Sequence, residues 1–217
     1  WSEFDRTLCG SGTADRIEAF IERARPRLAE GDSAFFHRAL PSGEQWRLYE
    51  DFREEACFFD IETTGLSAET NDVTCVSAHR GGRTETLVNG DDLTRENVRE
   101  LLDAPLLITF NGARFDVPFL ETNFDLDIGA PHLDLMYPCK RIGLSGGLKA
   151  IEPEVGVERD RPDITGRDAV RLWREHEAGQ DGSLETLVDY NREDAVNLQT
   201  LADEATRQLD EQAFGEI

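Results

Sequence analysis

The sequence predicts an α/β domain. Two observations carry that expectation. From about residue 55 onward, apolar segments with strand character alternate with segments of helical period, in the order three strands, helix, strand, helix, strand and then helices. A chain of 217 residues with a 39% apolar share also suits one compact core, with an N-terminal extension.

Taken in order, residues 1–30 include TADRIEAFIERARPRLAE, in which Ile17, Phe20, Ile21, Ala24 and Leu28 share a helical face and Pro26 interrupts the pattern. Residues 31–54 mix aromatics with Gly, Pro and charge and read as an irregular or hairpin-like lead-in. Together they form an extension over 1–54, expected to pack on a main domain over 55–217. There, strands are predicted at 56–61, 73–79 and 83–88, the last two joined by the turn RGGR. A Thr-capped helix follows at 94–103, then a strand at 105–110. NGARFDVPFLE reads as a turn leading into a helix, and PHLDLMY (131–137) as a short strand and its exit. Helical segments close the chain at about 145–153, 166–177 and 183–209, with GQDG separating the last two. An α/β layout of this kind leaves a crevice where strand ends meet loops.

Composition narrows the function classes. Asp and Glu total 45 against 23 Lys and Arg, for a formal net charge of −22, and only Lys140 and Lys149 are lysines. Periodic apolar segments argue against disorder as the cause. A haloarchaeal-type acidic surface, whose self-repulsion strong salt screens, resembles this composition better. Such a charge opposes nucleic-acid binding at low salt, although a local arginine cluster or a bound metal can dominate a contact region. No run of 18 apolar residues and no signal-peptide pattern is seen, so a soluble chain without a membrane partner is expected. Trp1 stands where Met is usual, which suggests a trimmed or incomplete N-terminus. Cys9, Cys57, Cys75 and Cys139 are far apart without a CxxC pair, which suits small core residues in a reducing cytoplasm.

The chemistry lies in acids placed where the chain otherwise looks buried. Asp60 and Glu62 stand two apart in FFDIETTGL, so a strand aims both at one side. Asp116 lies between Phe115 and Val117, Asp134 between Leu133 and Leu135, and Asp194 in LVDYNREDAVNLQTL. Tyr190 and Asp194 share a helix face four residues apart. Each acid has a plain alternative: an exposed edge-strand pair for Asp60 and Glu62, a cap or an Arg114 partner for Asp116, a solvated helix residue for Asp194. Asp134 either joins the site or positions His132 and a nearby loop. Four carboxylates in one crevice are prohibitive without cations, and hard divalent ions such as Mg²⁺ or Mn²⁺ suit carboxylate ligands. Two such ions about 4 Å apart activate water on one side and stabilise a leaving oxygen on the other, which is phosphodiester chemistry. Zinc is disfavoured, since the four histidines are scattered and no His/Cys cluster exists.

These motifs resemble the DEDD superfamily of 3′–5′ exonucleases, of the ribonuclease H-like fold. DIETTGL resembles its first motif, NGARFDVPFL its second, and YNRED the third in its tyrosine variant; the histidine variant's position holds Asp189 here. HLDLMYP, GGLKAIE, RPDITGRDAV and YNREDAVNLQTL are further similar to the YprB-like branch, over about 56–205. The resemblance implies a three-layer domain with a mixed, about five-stranded sheet flanked by helices. It implies two divalent cations held by Asp60, Glu62, Asp116 and Asp194, with Tyr190 orienting the attacking water. Its expected partner is nucleic acid, at a single-stranded 3′ end or a frayed duplex. Asp134 and His132 are possible accessories. Thr63, Thr64, Leu66, Asn111, Lys149 and Arg161 are candidates for substrate contact, with turn, loop-fixing or ion-pair roles as their alternatives. Arg141, Arg159 and Arg167 add to the basic supply near the crevice. A structure-selective endonuclease and a non-catalytic nucleic-acid-binding module are the competing functions.

Overall fold

The computed structural model describes residues 4–215. Its centre is a mixed five-stranded sheet in the order β3-β2-β1-β4-β5. The strands are β1 (Cys57–Thr63), β2 (Val73–Arg80), β3 (Arg83–Val88), β4 (Leu107–Thr109) and β5 (His132–Asp134). Strands β1, β2 and β3 form an antiparallel meander, while β4 and β5 add parallel to the other edge of β1. The α/β fold and its mixed sheet are therefore as the sequence predicts.

Alternation along β1 divides the interior. Cys57, Phe59 and Ile61 enter one core layer with Val76, Leu107, Phe119 and Leu120. That layer lies against α4 (Arg95–Leu101) and α5 (Asp116–Phe124). Phe58 points the other way, into a layer with Ile108, Leu133, Leu198, Leu201 and Ala205. The last three belong to α9 (Ser183–Phe214), a helix of 32 residues whose buried positions recur every three or four residues. Ala195, Ala202 and Ala205 are fully buried on that face and let the helix lie close to the sheet. Asp60 and Glu62 share the Phe58 parity, so β1 turns its carboxylates toward α9. The pairing register shifts between Glu62 and Thr63, which ends the regular ladder beside the acids.

Several local expectations are corrected. Pro26 does not break its helix: α1 runs Ser11–Ala29, and the proline falls in the last turn, where one missing N–H costs a single bond. Residues 31–54 are helical rather than hairpin-like. They form α2 (Ser33–Ala39), a 3₁₀ stretch (Ser42–Arg47) and α3 (Leu48–Phe52). Asp32 caps α2 by accepting the Phe35 N–H at 2.9 Å, and Pro41 stands at the N-cap of the 3₁₀ stretch, where no N–H is needed. Phe36, Trp46, Tyr49 and Phe52 from this region, with Ala24 of α1, join the core layer of α9. PHLDLMY gives only the three residues of β5, because α6 (Met136–Arg141) starts almost at once. The 145–153 segment is a single turn, α7 (Leu148–Ile151), continued by a 3₁₀ turn (Glu152–Val155). Helix α8 (Gly166–Glu177) opens with a full capping box between Thr165 and Asp168. Among the described residues, no helix is long and apolar enough to cross a membrane.

Candidate metal centre

Three elements meet at the C-terminal end of β1. The strand supplies Asp60 and Glu62, the first residue of α5 is Asp116, and α9 presents Tyr190, Asn191 and Asp194. One oxygen each from Asp60, Glu62 and Asp194 lies within 4.8 Å of the others, a spacing that suits a shared cation. Asp116 stands beside this triad, buried, and its negative charge is felt by both Asp60 and Glu62.

The electrostatics follow from burial. Asp60 and Glu62 are pushed well above the ordinary carboxylate range, first by burial and then by the charges of Asp194 and Asp116. Burial also raises Asp194, against the pull of Arg159. Asp116 is pushed up to about 7 by burial, although backbone N–H groups of its own residue and of Ile61 favour its charged form. Carboxylates that resist ionisation together are groups whose penalty a divalent ion's charge would remove. The convergent donor set, Asp60, Glu62 and Asp194, is carboxylate oxygen alone and therefore fits a hard divalent cation.

Tyr190 is buried and hydrogen-bonds Asp194 one turn later. Burial, followed by the charges of Asp194, Glu62 and Asp60, raises its hydroxyl above the ordinary phenol range, so it stays protonated. The Lys149 ammonium sits 4.5 Å from the centre of the Tyr190 ring and has no hydrogen-bond partner. Burial, then the neighbouring Arg159, lowers the Lys149 pKa.

Other predicted contact residues divide by position. Asp134 does not reach the triad. It accepts the backbone N–H groups of Asn111 (2.7 Å), Met136 (3.0 Å) and Ala113 (3.2 Å), and so ties the loop after β4 to the end of β5. Asn111 has the left-handed φ of 64° that this turn requires. His132 bonds Thr109 through Nε2 at 2.8 Å. Thr63 donates its hydroxyl to the Gly65 carbonyl (2.6 Å), and Thr64 is paired with Asp72 on the facing loop. Leu66, by contrast, has 89% of its surface exposed. Arg161 and Arg167 are exposed, whereas Arg141 is spent on Glu44 and the Gly43 carbonyl.

Three participants escaped the sequence reading. Asn191 is fully buried and donates Nδ2 to Asp60 Oδ2 at 2.8 Å, holding the carboxylate toward α9. Its place next to Tyr190 within YNRED was the available signal. Arg159, expected only as part of the basic supply near the crevice, is turned inward onto Asp194 and Glu152, its side chain only 5% exposed. Glu152 itself is 1% exposed and went unnoticed among many surface acids.

Comparison with known proteins agrees with this architecture. The chain resembles the "family B DNA polymerase from the hyperthermophilic archaeon Pyrobaculum calidifontis" only in fold, at 18% identity and a TM-score of 0.56, over 69% of this chain and 24% of the polymerase. It thus spans about a quarter of that protein's length. A structure described as the "apo form of the nuclease" matches at 21% identity and a TM-score of 0.53, over 80% of each chain. NrnC of Brucella melitensis matches at 20% identity and a TM-score of 0.54, covering 76% of this chain and 78% of its own. No curated protein matches in sequence. The RNase_H_2 family model, described as RNase_H superfamily, matches residues 57–206, more than half of the chain and the whole span from β1 into α9. The chain belongs to the RNase_H superfamily.

Proposed function

We propose that the protein is a metal-dependent nuclease that hydrolyses phosphodiester bonds from a 3′ end. The observation that carries this reading is the convergence of Asp60, Glu62 and Asp194 within 4.8 Å, with Tyr190 one helical turn before Asp194. Asp60, Glu62, Asp116 and Asp194 would hold two divalent cations, Mg²⁺ or Mn²⁺. When bound, such ions supply Lewis-acid charge that acidifies water and neutralises the departing 3′ oxygen.

The chain's own groups do the rest. Tyr190, kept protonated, orients the attacking water through its hydroxyl rather than acting as the base that takes its proton. Asn191 fixes the Asp60 carboxylate against rotation. The Lys149 ammonium, against the Tyr190 ring and without a hydrogen-bond partner, would meet a phosphate oxygen, and Arg161 offers an exposed charge. Leu66, exposed just past the first acidic motif, provides an apolar face against a terminal base. Residues 1–54 form an extension to the nuclease domain over 55–217.

The test is digestion of end-labelled single-stranded DNA and RNA at high salt with Mn²⁺ or Mg²⁺, beside Asp60→Ala and Asp194→Ala. A ladder growing from the 3′ end and lost in both variants supports the proposal. Internal cuts lost in the same variants would point to an endonuclease instead. Binding without cleavage by the folded, metal-supplied chain would sink the enzymatic reading.

A further inference from the structure

The acidic centre carries a positive partner of its own. Arg159 lies on the loop between the 3₁₀ turn at Glu152–Val155 and α8. Its Nη2 donates to Glu152 Oε1 at 2.7 Å, its Nε meets the other Glu152 oxygen, and Nη2 also makes a close ion pair with Asp194. The third nitrogen, Nη1, faces Glu193 at 3.7 Å. Glu152 is fixed in turn by the Asn197 side chain of α9 at 3.0 Å.

We propose that Arg159 is the resident counter-cation of the acidic centre: anchored on buried Glu152, it neutralises Asp194, and divalent ions bind against its charge. This deepens the metal-dependent reading above and rests on it. Anchoring the loop on the 3₁₀ turn would need only the two-pronged contact with Glu152, which Asn197 already links to α9. The contact with Asp194 is additional, and it places a fixed positive charge beside one of the three acids that converge. With two nitrogens engaged by carboxylates, Nη1 buried and the side chain 5% exposed, the guanidinium is not offered to a phosphate. With Arg159 present the centre has lower net negative charge, which protects it when divalent ions are scarce and weakens their binding when they arrive.

The experiment compares wild type, Arg159→Met, Arg159→Lys and the double variant Arg159→Met/Glu152→Gln at one fixed high salt concentration. Thermal midpoints are read in chelator and in excess Mn²⁺, and Mn²⁺ affinity is read by calorimetry. Arg159→Met is expected to melt lower than wild type in chelator, to gain more from Mn²⁺, and to bind Mn²⁺ about tenfold more tightly, because a like charge has left the site. Arg159→Lys, which keeps the charge, stays near wild-type affinity. Should Arg159→Met fail to fold, the double variant carries the same comparison, with a smaller gain because a negative charge leaves too. Equal losses in chelator and in Mn²⁺, with unchanged or weaker affinity, would overturn the counter-cation role and leave Arg159 a structural tie. If the wild-type chain takes up no Mn²⁺, the metal reading falls and this proposal falls with it.

Discussion

Without divalent ions, the chain should lose stability as pH rises, and Asp116 should account for a measurable part of the loss. Its carboxyl titrates at about 7 in the folded chain, against 3.8 for an unperturbed group. A raised folded pKa means that the native state holds a proton which the unfolded chain releases. The stabilisation is therefore complete below the unfolded value and disappears as pH climbs through about 7. The three-unit separation corresponds to about 4 kcal/mol for Asp116 alone, an upper figure because its neighbours share the protons. For a domain of this size that is a fall in melting temperature of about 10 °C between about pH 4 and about pH 8. Asp60, Glu62 and Asp194 shift the same way and add to the slope. Thermal melts in chelator at high salt, for wild type and Asp116→Asn, isolate the contribution. The variant should melt higher than wild type at alkaline pH and show the shallower slope, since its amide has no proton to lose. Parallel curves for the two proteins would refute the argument. Saturating Mn²⁺ should reverse the trend, because the ion favours the ionised acids.

Tyr190→Phe should lower cleavage about 10²-fold while leaving Mn²⁺ affinity near wild type, because only the hydroxyl that orients water is lost; equal affinity and equal rate in a single-turnover assay would remove Tyr190 from the reaction. Leu66→Ala should leave the melting temperature unchanged, as an 89% exposed side chain contributes little to the core, yet raise the KM for single strands; an unchanged KM would dismiss the apolar contact. Gly112→Ala should destabilise the chain by about 1–3 kcal/mol, since its Cβ would collide with the side chain of fully buried Thr109, which is itself bonded to His132. Chemical denaturation measures that loss, and a neutral result would mean that Thr109 has room to turn.

The parts of the molecule legible in the sequence are those where a local pattern has one physical solution. Alternation in CFFDIET fixes β1 and the shared direction of Asp60 and Glu62, and the four-residue step fixes Tyr190 and Asp194 on one face of α9. For Asp134, placed between leucines, the sequence leaves open a site role or the positioning of His132 or a nearby loop, and the loop role is the one its bonds serve. Its oxygens are filled by three backbone N–H groups, a solution that spacing does not distinguish from metal ligation. Arg159 was illegible for a related reason: in a chain this acidic any arginine has several acids to choose from, and only the fold decides that Glu152 and Asp194 are the ones within reach. The helices of 31–54 were missed because Pro41 and Gly43 look like breakers, whereas Pro41 occupies a cap position that accepts proline.

Helix α9 imposes a rotational condition on the whole protein. Tyr190, Asn191 and Asp194 near its start face the acids of β1, while Leu198, Leu201, Ala202, Ala205 and Leu209 farther along hold the N-terminal helices and the sheet. Each residue of an α-helix turns the next by about 100°. A single insertion or deletion between Asp194 and Leu198 would therefore swing one set of side chains out of phase with the other, leaving either the chemistry or the packing misaimed. Length changes should be tolerated at the ends of this helix and in the loops around it, and selected against in the three positions that lock the two halves into one angular frame.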